Sequence, residues 1–245
     1  MYAELARYYD KIYSLKDYAD EAGRLTAIIR GYLRSEGRRL LDVACGTGRH
    51  LEYLREQFDV EGLDISPEML ETARQKNPGV PFHQGDMADF DLGRSFDVVT
   101  CLFSSIGYVK TMERLKKALT CMVSHLVPGG VLVIEPWFTT GSWHPGTVHG
   151  LFIDEPELKI ARVNTSFVDG RISYFDLHYL IGTPQGTEHY VEHHELGLFE
   201  RKEIQDILTG LTLEVSYAEE GLTGRGLFVG RLAVGAERLA VGSMQ

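Results

Sequence analysis

Asp42-Val43-Ala44-Cys45-Gly46-Thr47-Gly48 joins a predicted strand to a predicted helix. Glycines are needed there because only they let the backbone turn sharply and let a ligand approach the main chain closely. A second acid, Asp64, closes the next strand about 20 residues on, where a carboxylate can accept hydrogen bonds from both ribose hydroxyls of an adenosine group. That spacing also suits a dinucleotide such as NAD. The loop lacks the third glycine that packs a helix against a pyrophosphate, which favours an adenosine cofactor without a phosphate to cradle. An ordinary strand-to-helix turn would need neither acid.

Other reactive side chains read more plainly. Cys45, Cys101 and Cys121 are the three cysteines of the chain, and their spacing fits neither a disulfide framework nor a zinc site. Cys45 reads as a small buried residue. His189, His193 and His194 share one predicted strand, but His193 and His194 point to opposite faces, so no metal is expected. Glu135 ends a strand near the glycine loop, where it could meet an amine or orient the next loop.

These residues need a scaffold, and the hydrophobic periodicity supplies one. Apolar residues at helical spacing from Tyr18 to Leu33 predict an amphipathic helix. Strands follow at 39–43, 60–65, 80–83, 96–103 and 130–135, alternating with helices at 49–58, 67–76 and 112–125. Ser66 and Pro67 mark one helix start as N-cap and first position. Such alternation implies a parallel sheet covered on both faces, with ligands bound at the carboxyl ends of its strands.

After Pro136 the pattern changes to period two, at 160–168, 171–181 and 188–199, which predicts an antiparallel meander. A helix over 200–210 and strands over 213–218 and 226–232 return to the main sheet. The expected division is 1–137 as a cofactor-binding core with a helical lid, 138–199 as a substrate-covering β subdomain, 200–235 completing the core, and 236–245 as a tail.

The chain has 245 residues and a formal charge of −10, which repels phosphate backbones and argues against a nucleic-acid partner. No apolar run reaches the roughly 20 residues that cross a bilayer, and no signal sequence opens the chain, so no membrane partner and a cytoplasmic setting are expected.

Four segments in order carry a family resemblance: Leu41 to Gly48, Gly62-Leu-Asp-Ile-Ser-Pro67, Gly85-Asp86-Met87 and Leu126-Val-Pro-Gly-Gly-Val131. They resemble motifs of the class I S-adenosylmethionine (SAM)-dependent methyltransferases. The resemblance implies a Rossmann-like doubly wound α/β sheet with an inserted antiparallel β subdomain, and SAM as cofactor. It places Gly46 at the methionine part, Asp64 at the ribose, Asp86 and Met87 at the adenine, and Leu102 and Phe103 along the pocket, with Ala44, Gly48 and Ile65 also among the cofactor-binding residues. Tyr18 matches a segment that closes over the cofactor's carboxylate in similar enzymes.

The resemblance extends to N,N-dimethyltransferases of TDP-linked 3-amino-deoxysugars in macrolide sugar pathways. Lys16-Asp17-Tyr18, His83 to Met87, Phe103-Ser-Ser-Ile-Gly-Tyr108, Val133 to Trp137 and Gly224-Arg-Gly-Leu-Phe-Val-Gly230 carry it. It implies a TDP-amino sugar as the small-molecule substrate and leaves room for a homodimer. Tyr108 would lie near the sugar amine, Arg225 would reach a diphosphate or sugar oxygen, and Tyr2 would approach the substrate. The segment between Tyr9 and Tyr18 is about two residues shorter than in those enzymes, and Trp137-Phe138 replaces paired tryptophans. Methylation of another small amine or carboxylate metabolite, and SAM sensing without turnover, stay open at this stage.

Overall fold

The computed structural model describes residues 8, 11–14 and 16–235, so Tyr2 and the tail at 236–245 lie outside the described residues. Helix α1 (Tyr18–Tyr32) leads into β1 (Arg39–Val43), α2 (Arg49–Leu54), β2 (Asp59–Asp64), α3 (Pro67–Lys76), β3 (Phe82–Gln84) and β4 (Phe96–Cys101). A 3-10 turn over Ser105–Val109 precedes α4 (Met112–Ser124) and β5 (Leu126–Ile134). The chain then forms β6 (Val148–Glu155), β7 (Leu158–Thr165), β8 (Phe167–Asp169), β9 (Ile172–Thr183) and β10 (Gly186–Gly197). It closes with α5 (Arg201–Gly210), β11 (Leu213–Ala218) and β12 (Leu227–Leu232).

The main sheet has seven strands in the order β11-β12-β5-β4-β1-β2-β3. All neighbours run parallel except β12, which is antiparallel to both β5 and β11. The order reverses between β1 and β4, and that switch point puts the loops after both strands beside a natural crevice.

Adjacent residues on these strands serve two cores, because side chains alternate across a sheet. Leu40, Val98 and Val133 pack with Leu25 and Ile29 of α1 and Leu51 and Leu54 of α2. Leu41, Val99 and Leu132 pack on the opposite face with Leu115 and Leu119 of α4 and Leu208 of α5. This double coverage explains why the strands read as continuous apolar runs. Local signals agree with it: Ser66 caps α3 by accepting from Met69 N–H, and Glu200 and Glu203 form a capping box at α5.

Several elements differ from the sequence expectation: the helix expected over 49–58 ends at Leu54, the strand expected over 96–103 ends at Cys101, and the strand expected over 160–168 divides into β7 and β8. Val148–Glu155 forms a strand where none is expected, pairing with β7 along its length. Its exposed Val148 and Phe152 blur the alternation that marks a strand. Strand β5 begins at Leu126 rather than after Pro128-Gly129-Gly130, because Leu126 pairs with Phe96 across an irregularity and Gly129 adopts φ +79° within the strand.

The second sheet is antiparallel, in the order β10-β9-β7-β6, with β8 paired to β9. One face packs Ile160, Leu177, Tyr179 and Ile181 against Ile12. His194 of β10 is on a buried face, while its neighbour His193 is exposed and bonded to Asp176 at 2.6 Å. No helix among the described residues is long and apolar enough to cross a membrane.

Candidate active site

The loop after β1 is shaped by three left-handed residues, Ala44 at φ +59°, Gly46 at +55° and Gly48 at +73°. A side chain at Gly48 would collide with the Asn77 amide, 2.8 Å from an added Cβ, whereas Gly46 faces open space. Asp64, at the end of β2, grips the loop by accepting from Gly46 N–H at 2.8 Å, and its other oxygen accepts from Ser66 N–H at 2.9 Å. Burial raises the Asp64 carboxyl against the lowering effect of these backbone donors.

A cleft of about 390 Å³ opens here, lined by Ala44, Asp64, Ile65, Asp86, Met87 and Tyr108 among others. Ile65 is 65% exposed, an uncommon setting for a large apolar side chain, and it gives the cleft an apolar wall. Burial acts to raise Asp86, but Ala88 N–H and the Arg114 guanidinium, 2.7 Å away, hold its carboxyl below the usual range. Arg114 therefore shares this end of the cleft, a contact that no motif announces.

Five residues expected at the cofactor, Tyr18, Gly46, Gly48, Leu102 and Phe103, are not part of this cleft's lining. Gly46 and Gly48 belong to the loop after β1, and Leu102 is buried in the core with Val98 and Leu227. Tyr18 is buried edge-on to His50, with the Lys16 ammonium 4.6 Å and the Arg49 guanidinium 5.3 Å from its ring centroid. Burial pushes its hydroxyl up, so Tyr18 stays neutral. Both cations are paired within the chain, Lys16 with the buried Glu21 and Arg49 with Glu52 at 2.6 Å. Cys45 packs over Gly62, and burial pushes its thiol well up, away from nucleophilic use.

Asp42 is 3% exposed and accepts a 2.7 Å hydrogen bond from the Thr100 hydroxyl. Burial raises its carboxyl to about 6, more than Thr100 and His50 lower it, and the Asp64 charge adds to the rise. The folded state therefore binds more protons than the unfolded state between pH ~4 and ~6, and stability falls as pH rises through that window. Asp42→Asn keeps an acceptor for Thr100 and removes the charge. Its thermal midpoint should exceed wild type at pH 7.5 by several degrees, equivalent to roughly 1–3 kcal/mol, and match it near pH 4. An equal difference at both pH values would reject this origin.

The exit from β4 is the most constrained backbone in the site. Phe103 and Ser104 both have positive φ, +51° and +61°, a costly conformation for residues with side chains. Glu135, fully buried, holds it by accepting from Phe103 N–H at 2.6 Å, and also accepts from the Thr223 hydroxyl. Ser104 donates to the Pro136 carbonyl at 2.7 Å and accepts from Arg225 at 3.1 Å. The two segments singled out in the sequence, 103–108 and 224–230, thus meet at Ser104 and Arg225.

Arg225 lies over three aromatic rings, 5.2 Å from Trp137, 5.6 Å from Phe138 and 5.8 Å from Phe103. Desolvation lowers its basicity, opposed by the Glu135 charge. With Trp137, Phe138 and Tyr217 it lines a second recess of about 700 Å³. Tyr108 lines the first cleft instead, and its hydroxyl lies 2.8 Å from His194 Nδ1. The sequence places His194 only on the face of its strand opposite His193; its partner is 86 residues away in the chain. No cluster of His, Cys, Asp or Glu fit for a metal occurs among the described residues.

Residues 40–130 match the family described as a methyltransferase domain. A dTDP-3-amino-3,6-dideoxy-alpha-D-glucopyranose N,N-dimethyltransferase of Streptomyces fradiae is 40% identical, the match covering 93% of this chain and 90% of that protein. The chain belongs to the SAM-dependent N-methyltransferases. A second relative of this methyltransferase, the dTDP-4-amino-2,3,4,6-tetradeoxy-D-glucose N,N-dimethyltransferase of Saccharopolyspora spinosa, is 40% identical across 91% of this chain and 90% of its own. A SAM-bound amino pentose methyltransferase from Micromonospora echinaspora, involved in calicheamicin biosynthesis, superposes with a TM-score of 0.81 at 41% identity, covering 88% and 92% of the two chains. The methyltransferase therefore has the class I doubly wound fold and uses SAM as methyl donor.

Proposed function

We propose that this methyltransferase N-methylates the amine of a TDP-linked amino-deoxysugar. The observation that carries this reading is the Ser104–Arg225 hydrogen bond, which ties the guanidinium beside the aromatic recess to the loop bearing Tyr108. One region then offers an arginine and aromatic rings for a diphosphate and a base. The other offers a hydroxyl for an amine. The names of relatives at 40% identity support the same acceptor class, and the calicheamicin relative supports a place in antibiotic biosynthesis.

The residues present fit SAM on their own chemistry. Asp64 would accept from the ribose, Ile65 and Met87 would flank the adenine beside Asp86, the Gly46 face leaves room for the methionine part, and Tyr18 with Arg49 would cover its carboxylate. SAM, when bound, supplies a methyl carbon on a sulfonium, whose C–S bond breaks with its electron pair going to sulfur. The protein's task is placement, which alone can supply ~7–11 kcal/mol of such a barrier. An amine with a pKa of about 8 keeps enough free base near neutrality, so no strong general base is required. Tyr108 would place the amine and Arg225 the polar end; Tyr2, outside the described residues, stays a proposed neighbour of the substrate.

Incubation with SAM and a TDP-linked amino-deoxysugar should add one or two methyl groups to the sugar nitrogen, with one demethylated cofactor formed per methyl, as read by mass spectrometry. Cofactor binding without any methylated sugar would reject the acceptor and favour a sensor or another small amine.

A further inference from the structure

Arg114 and Asp86 meet at one end of the cleft that Ala44, Asp64, Ile65 and Met87 also line. Asp86 opens a tight turn, in which Asp89 N–H donates to its carbonyl and Ala88 N–H to its side-chain Oδ1, each at 2.9 Å. Arg114 comes from the first turn of α4, where the Thr111 hydroxyl caps the helix by accepting from Arg114 N–H at 3.2 Å. One nitrogen of its guanidinium, Nη2, donates to both carboxylate oxygens, Oδ1 at 2.9 Å and Oδ2 at 2.7 Å. Among the described residues, Ala88 and Arg114 are the only hydrogen-bond partners of this carboxylate.

Two physical arguments make the pair more than a surface ion bridge. The first turn of a helix carries positive partial charge, so a cation there is locally unfavourable and an acid is the usual choice. Arg114 stands against that preference, and its partner is a carboxylate on the cleft wall. The second argument concerns water. Burial acts to raise the Asp86 carboxyl, and the Ala88 N–H and the Arg114 guanidinium hold it low. A planar base laid in the cleft excludes more solvent, and an acid without a charged partner then tends to take up a proton. A protonated carboxyl has an O–H of its own to donate, whereas an ionised one only accepts.

We propose that Arg114 is a positioning residue that sets base selectivity in this cleft: by clamping Asp86 as an ionised acceptor, it makes the site require the exocyclic amino group of adenine. The inference rests on the placement of adenine beside Asp86 in the preceding section. Oδ1 is shared by Ala88 and Arg114, while Oδ2 has Arg114 alone, so a lone pair of Oδ2 stays available to an amino N–H. The clamp leaves one oxygen to read the base and fixes where it points. A purine without that amino group covers the carboxylate and gives it no hydrogen bond, the condition under which a polar site discriminates strongly.

Titration calorimetry with two ligands tests this: S-adenosylhomocysteine, and its analogue with hydrogen in place of the exocyclic amino group. The analogue reports on the rest of the cleft, so general damage to the fold lowers both affinities alike. Wild type should prefer S-adenosylhomocysteine by roughly 10- to 100-fold, the scale of a hydrogen bond to a charged group. Arg114→Met should reduce that preference to about two- to threefold while the analogue binds within about twofold of its wild-type affinity. Arg114→Lys should recover much of the preference, because a single nitrogen makes the contact.

An undiminished preference in Arg114→Met, equal losses for both ligands, or no recovery in Arg114→Lys overturns the proposal. Asp86→Ala tests the underlying placement separately. A preference that survives Asp86→Ala puts the amino group elsewhere and rejects the adenine placement and the inference together. A preference lost in Asp86→Ala but kept in Arg114→Met rejects the inference alone.

Discussion

Asp64→Ala is expected to weaken SAM binding by roughly 1.5–3 kcal/mol, the scale of hydrogen bonds to a charged group, or about 10- to 150-fold in affinity. The carboxylate has a double task. It would accept from a ribose at the switch point, and it already fixes the Gly46 and Ser66 amides at 2.8 and 2.9 Å. Truncation removes the ligand contact and leaves two loop donors to find water. Asp64→Asn, which retains one acceptor oxygen, should lose less. Titration calorimetry with SAM and its demethylated product measures both variants. Equal affinity in wild type and Asp64→Ala would show that the cofactor does not lie on this acid, as would a preference for NAD.

Removing the TDP group from the amino sugar is expected to lower kcat/KM by roughly 10²–10⁴-fold, through kcat as well as KM. The basis is that binding energy remote from the reacting atoms can be used to orient them. Arg225 is the side chain that would transmit it, since it bonds the loop carrying Tyr108 and lines the aromatic recess. Losing one or two hydrogen bonds between a diphosphate and a guanidinium accounts for most of that range. Arg225→Ala should therefore cost much activity on the TDP-sugar and little on the free sugar, so the two deletions are not additive. Equal kcat/KM for the two acceptors would remove nucleotide-directed recognition from this enzyme.

Much of the cofactor half was legible because its signals are local. The glycine loop, the acid closing β2 and the Ser66-Pro67 helix start each lie within a few residues, and strand-helix alternation orders them into one sheet. The remainder depended on contacts between distant residues. Neither the 2.7 Å bond from Thr100 to Asp42 nor the grip of Glu135 on Phe103 leaves a mark in either local sequence. His194 shows why: alternation along β10 places it inward, but only the packing of the antiparallel sheet against the turn at Ser105–Val109 sets it beside Tyr108. Strand β6 was hidden for another reason, since its large apolar residues Val148 and Phe152 face solvent and weaken the contrast that period-two reading relies on.

Strand β12 inserts between β5 and β11, antiparallel to both. A ribosome delivers β5 long before β12, so one edge of the sheet waits unpaired while more than ninety residues of later chain emerge. The turn that carries Arg225 arrives only just before the strand that seals that edge. During synthesis, then, the nascent polypeptide can assemble the loops after β1 and β2 first and gains the arginine of its aromatic recess almost last. Premature termination in that interval would leave a product with an open β edge, the kind of surface that quality control and aggregation both recognise.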